Sequence, residues 1–224
     1  MKQRILLKGK AGLDLLHRIS SINVHALKTG LAAQGLILNP EGRILSLFEI
    51  TLQDSDTAAV RCDPAFAPLL EHYTFAEQYA IESLPDPDAT PSNELERVLA
   101  LAPEEGKEFK LDGKTNPLEV NLRHAISDQK GCYPGQEVIE KIIAIGSPAR
   151  RLCLLELKAA TGSPANAPEI RPPLPLLSGE GAEAGVLTSI AGKHALGIIR
   201  RTHLKEGITL NAAGASWTIA KVSP

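Results

Sequence analysis

The chain has 224 residues with 24 basic and 26 acidic side chains, a formal net charge of −2, and 43% hydrophobic and 22% charged residues. This is an ordinary balance for one large or two modest globular domains with a real core, and it excludes broad electrostatic attraction to phosphate backbones or anionic lipid. No apolar run nears the roughly 20 residues of a membrane span, and the opening MKQRILLKGKAG lacks a signal-peptide core, so a cytoplasmic location with no membrane and no direct nucleic-acid partner is expected.

Ile5-Leu6-Leu7 reads as a short strand, followed by a turn at Gly12 into a helix whose Leu15, Leu16 and Ile19 share one face. The apolar runs Gly35–Leu38 and Arg43–Ile50 flank Asn39-Pro40-Glu41-Gly42, the pattern of a β-hairpin. A strand over Thr57–Arg61, a helix opened by Pro64 and running through His72, and a closing strand over Gln78–Ile81 complete the order. That order predicts an α+β fold with a ferredoxin-like split βαβ unit over residues 1–84.

Residues 85–93 are rich in proline, which removes backbone donors and blocks helix continuation, so they read as a linker. Ser92 or Asn93 is placed to cap a helix over Glu94–Leu99, which opens a segment spanning 94–148. Beyond it, Leu152–Leu157, Leu174–Leu177, Gly185–Ser189, Leu196–Arg200, Ile208–Leu210 and Trp217–Lys221 are short strands separated by turns. A Pro-rich stretch, 163–175, bridges the first two. Six such strands predict a small β-barrel over 149–224. The basic run Arg200–Lys205 reads as a solvated patch.

Three cysteines, Cys62, Cys132 and Cys153, are widely separated and form no CxxC, and the six histidines show no HxxxH or HxH spacing. Neither a disulfide framework nor a fixed metal site is expected. Cys62 and Cys153 read as core. Cys132 stands in Lys130-Gly131-Cys132-Tyr133-Pro134-Gly135-Gln136-Glu137, just ahead of a helix with Val138, Ile139, Ile142 and Ile143 at helical spacing and Pro134 in its first turn. Amides at a helix start and the Lys130 cation both favour a thiolate. The glycines permit positive φ or close approach by a ligand. The alternative is a turn in which Cys132 packs as a small hydrophobe.

KGCYPGQE strongly resembles the signature of the YgfZ family, folate-binding relatives of the glycine-cleavage T-protein. Asn116–Leu122 resembles the segment that precedes the signature, and Gly185–Ser189 and Ala195–Arg201 resemble barrel strands. Arg18-Ile19-Ser20 and Gly42–Leu45 resemble the opening motifs, and Glu96–Pro103 a segment normally found further along the chain. Two positions depart from the pattern: Ser20–Val24 stands where the family shows S-T-N-D-V, placing Asn23 at the aspartate, and Lys141 stands in place of an arginine.

The resemblance implies a shortened member with an α+β portion and a C-terminal barrel, tetrahydrofolate as cofactor, and a role in assembly or repair of iron–sulfur clusters, including those of tRNA-modifying enzymes. It implies iron–sulfur client or assembly proteins as partners. It assigns the functional thiol to Cys132, a possible transient cluster ligand, with Lys130 beside it. Signature or cofactor-binding positions are Gly131, Tyr133, Gly135, Gln136, Glu137, Lys141, Arg43, Arg97 and Glu119. The alternatives are a tetrahydrofolate-dependent aminomethyltransferase, or a scaffold that has lost folate binding.

Overall fold

The computed structural model describes residues 2–85, 93–160 and 172–224. Most of the proline-rich linker (86–92) and most of the bridge between the first two barrel strands (163–171) lie outside the described residues. Two compact units emerge. The first comprises 1–90, 111–116 and 123–141; the second comprises 91–110, 117–122 and 142–224. Residues 94–148, expected as one helical segment, are thus shared between the two.

In the first unit the elements are β1 (Gln3–Lys8), α1 (Lys10–Ile19), β2 (Ala32–Leu38), β3 (Ile44–Leu52), β4 (Thr57–Cys62), α2 (Phe66–His72) and β5 (Ala80–Leu84). The strands form one antiparallel sheet in the order β2-β3-β4-β1-β5. β1 and β3 therefore run in the same direction with β4 between them, which is the split βαβ arrangement, with β2 added at the edge.

Period-two alternation explains the sheet's buried face. Ile5 and Leu7 of β1 lie opposite Val60 and Ala58 of β4, and Phe48 and Ile50 of β3 join them. Against this face α1 packs Leu15, Leu16 and Ile19, and α2 packs Phe66 and Leu70. The Phe48 and Phe66 rings sit 5.1 Å apart in a tilted pair.

One expected turn moves. Helix α1 opens at Gly9, whose φ of +107° suits only glycine, and Gly12 lies inside the helix. Gly12 is small because Tyr79 crosses there: a Cβ would come within 2.8 Å of the tyrosine's own Cβ.

The second unit begins with α3 (Glu94–Leu99), capped by Asn93, whose side chain accepts from the Leu95 and Glu96 amides. After α4 (Gln136–Ile145), the helix within which the two units divide, come β6 (Arg150–Ala160), β7 (Leu174–Leu177), β8 (Glu183–Ala191), β9 (His194–Arg200), β10 (Thr209–Ala212) and β11 (Ala215–Val222). These close into a six-stranded barrel in the order β10-β11-β6-β9-β8-β7, and pairing of Asn211 with Leu177 completes the circuit. Leu155, Leu187, Ile199, Leu210, Trp217 and Ile219 pack into its core.

A buried polar clasp ties α3 and the loop after it to β8. The Glu108 carboxylate is fully shielded. It accepts from Thr188 (2.8 Å), Ser189 (2.6 Å), the Glu104 amide (2.9 Å) and the Arg97 guanidinium (2.8 Å). Arg97 also donates to Glu94, to Ser189 and to the Ala102 carbonyl. A buried carboxylate is tolerated only when its oxygens are this completely met. Glu108→Ala leaves Arg97, Thr188 and Ser189 short of an acceptor, and a loss of about 3 kcal/mol in urea-unfolding stability is expected.

Candidate functional site

The signature octapeptide lies in the first unit, and the structure shows what holds it. Helix α1 ends with carbonyls that no intrahelical amide reaches. The half-buried Lys130 ammonium donates to the carbonyls of His17 and Ser20, and lies 3.4 Å from that of Ile22. Three donors meet three acceptors, at the negative end of the helix dipole. Lys130 is also 5.0 Å from the centre of the Tyr133 ring. Lys130 thus anchors the loop, and its protons are already engaged by backbone oxygens.

The second anchor is Gly135, with φ +80°. A Cβ there would lie 2.5 Å from the Asn39 carbonyl oxygen and 2.8 Å from Gly42 Cα, so the loop presses backbone to backbone on the β2–β3 turn. The close approach that glycine permits is made by the protein itself. Asn39 shapes that turn by accepting from the Arg43 amide at 2.8 Å. Gly131, by contrast, faces open space.

Between these anchors the side chains alternate in fate. Tyr133 is buried, and burial pushes its phenol up to about 12. Cys132 is exposed. Cys62 and Cys153 are buried, and desolvation pushes each thiol up to about 12.

Helix α4 starts at Gln136, not in a turn that includes Pro134, because Gly135 leaves the right-handed region. Cys132 is therefore separated from the helix by Tyr133, Pro134 and Gly135, and the Gln136 amide donates to the Tyr133 carbonyl at 3.2 Å. Gln136 bonds Glu140 along the helix at 2.7 Å, and Glu137 and Lys141 are exposed. Arg43 lies half-buried at the end of the β2–β3 turn.

Arg97 and Glu119 belong to the second unit. Arg97 is part of the Glu108 clasp, and Glu119 pairs with Arg150 at 3.0 Å.

Ser21 and Asn23, noted in the sequence only as part of a departure from the family pattern, lie beside the signature loop. Ser21 donates to the Ala125 carbonyl (2.6 Å) and accepts from the Leu36 amide (3.0 Å). Asn23 donates to the Gln129 carbonyl at 2.6 Å, which fixes its amide and leaves Oδ1 buried with no hydrogen-bond partner among the described residues. Asn23 lines an open cleft of about 320 Å³ with Ile22, Gln34, His124 and Ile126. An orphaned buried acceptor at a cleft is suited to a ligand N–H. The signal in the sequence was Asn23 standing at the family's aspartate. Nearby, His17 stacks on His25 with ring centres 4.1 Å apart; burial, then the Lys130 charge, lowers its pKa.

Comparison with known proteins bears on the class. Residues 150–223 match the family model described as CAF17, C-terminal beta-barrel domain. Among solved structures, the glycine cleavage system aminomethyltransferase T from Bartonella henselae superposes with a TM-score of 0.78 at 15% identity, covering 98% of this chain and 83% of that one. The chain therefore has the aminomethyltransferase fold, closed by a CAF17-type barrel. A protein described as a putative chloroplastic transferase from Arabidopsis thaliana is 34% identical over 85 residues, 38% of this chain but only 17% of that protein's length. Together with the signature, these matches are consistent with a YgfZ-like protein that shares the fold of the glycine-cleavage aminomethyltransferase. No helix among the described residues is long and apolar enough to cross a membrane.

Burial draws the Lys130 ammonium down to about 8, against an ordinary 10.5, and the carbonyls it faces oppose that pull. Between those two values the unfolded chain holds a proton that the folded chain has released, so stability from this group rises with pH across that window. Urea midpoints taken from pH 7 to 10.5 should show the unmutated chain gaining on Lys130→Met above pH 8.

Proposed function

We propose that this chain is a cytosolic, folate-binding-related protein that acts in assembly or repair of iron–sulfur clusters, with Cys132 as its functional thiol. The observation that carries this reading is the contrast among its three cysteines. Two are buried with thiols held protonated, while Cys132 is exposed on a loop fastened on both sides, by Lys130 and by Gly135. An exposed thiol on a fixed loop is presented to a partner and is free to form a bond. Iron–sulfur clusters normally take four protein ligands, so a contact through Cys132 is transient and shared with a client or assembly protein or a small thiol.

Tetrahydrofolate, when bound, supplies a carrier for one-carbon units. The Asn23 cleft supports its presence. The buried Oδ1 accepts an N–H of a pteridine edge, and Gln34 and His124, joined at 2.8 Å, add polar partners. Arg97 and Glu119 contribute to the fold of the second unit in this reading. The similarity in fold to aminomethyltransferase T favours a second reading, aminomethyl transfer to tetrahydrofolate, which a direct assay with a lipoyl carrier separates from the first.

In cells lacking their own YgfZ-type protein, this chain should restore cluster-dependent tRNA methylthiolation, and Cys132→Ser should not. Restoration by Cys132→Ser at equal expression removes the thiol from the mechanism. Independently, calorimetric titration with tetrahydrofolate should give saturable heat, and Asn23→Leu should weaken binding by about tenfold or more. No heat from the unmutated chain would favour a scaffold without folate.

A further inference from the structure

The basic run Arg200–Lys205 does not act as one patch. Arg200 pairs with Glu183 at 2.6 Å. Arg201 and Lys205 instead line an open cleft of about 670 Å³ within the second unit, together with Arg151, Leu204, Glu206 and Val222. Arg151 is fixed in place, donating from Nη1 to the Ser223 carbonyl at 3.0 Å and from Nη2 to the Gly146 carbonyl at 3.4 Å. Its Nε is buried and has no partner among the described residues. Arg201 and Lys205 are exposed, and no carboxylate of the described residues pairs with either.

The charge of this cleft is lopsided. Three cations stand against one carboxylate, Glu206. Unpaired like charges held together in a concave surface raise the local potential and concentrate anions. Guanidinium forks match the oxygens of a phosphate, and a lysine adds charge without demanding one geometry. Leu204 and Val222, both half-buried, give the same cleft an apolar wall. The volume lies in the range of small-molecule sites, roughly 300–1,000 Å³. The net charge of −2 supplies no long-range attraction to an extended nucleic acid, so recognition here is local.

We propose that this cleft is a binding site for a small organic phosphate, with the phosphate on Arg151, Arg201 and Lys205 and the organic body against Leu204 and Val222.

The test is calorimetric titration of the full chain with phenyl phosphate at low ionic strength, inorganic phosphate serving as the comparison. Saturable binding is expected, tighter for phenyl phosphate than for inorganic phosphate. Arg201→Gln and Lys205→Gln should each weaken it by about threefold to tenfold, the range for loss of one charge-assisted contact. Neither side chain has a side-chain partner among the described residues, so both variants should keep the urea midpoint of the unmutated chain. Glu206→Gln should tighten binding. Absence of heat at millimolar ligand, or binding unchanged in both cationic variants, overturns the proposal. Displacement of phenyl phosphate by a single-stranded RNA at tenfold lower concentration also overturns it and assigns the cleft to nucleic acid.

Discussion

The carbonyls of His17 in the last turn of α1, and of Ser20 and Ile22 just beyond it, are met by an ammonium from 108 to 113 residues further along the chain. Orphan carbonyls at a helix end require donors, and a cation there also meets the negative end of the dipole. Supplying them with Lys130 fixes where the following residues lie. Tyr133 then buries its ring, Gly135 presses on the β2–β3 turn, and Cys132 is left at the surface between them. The exposure of the thiol follows from how its neighbours are anchored.

The same logic separates the charged residues of the second unit by the work they do. Arg97 and Glu108 are deeply buried and fully bonded, which makes them part of the scaffold that holds α3 against β8. Arg201 and Lys205, close in sequence to the paired Arg200, have no such partner among the described residues and face a cleft. Whether a cation is structural or available to a ligand is set by what surrounds it, and residue type alone carries no such information.

Much of the architecture was legible in the chain. The alternation in β3, the helical spacing of Leu15, Leu16 and Ile19, and six short apolar runs after Arg150 predicted the split βαβ unit and the closed barrel. Local patterns succeed there because burial of one strand or helix face is a local requirement. Errors fell where two distant segments meet. Gly12 was read as a turn although it is a packing contact with Tyr79, and α4 was started at Pro134 because the demand that the β2–β3 turn places on Gly135 is not local. The candidate site was half legible. KGCYPGQE pointed to Cys132 and Lys130, but the carbonyl partners of Lys130 and the orphaned Asn23 oxygen arise only when chain ends and turns are brought together.

By itself, the sequence determined the order of elements, the class of fold, and the identity of the one loop that carries a cysteine among glycines and a lysine. Those properties depend on periodicity, turn chemistry and composition, which act over a few residues. Only the tertiary structure decided that Lys130 caps a helix, that Gly135 accommodates a neighbouring backbone, that Arg97 and Glu119 are paired away, and that Cys132 alone of the three thiols meets solvent. Each of those outcomes is a matter of desolvation and hydrogen-bond partners, and both are set by residues far apart in the chain.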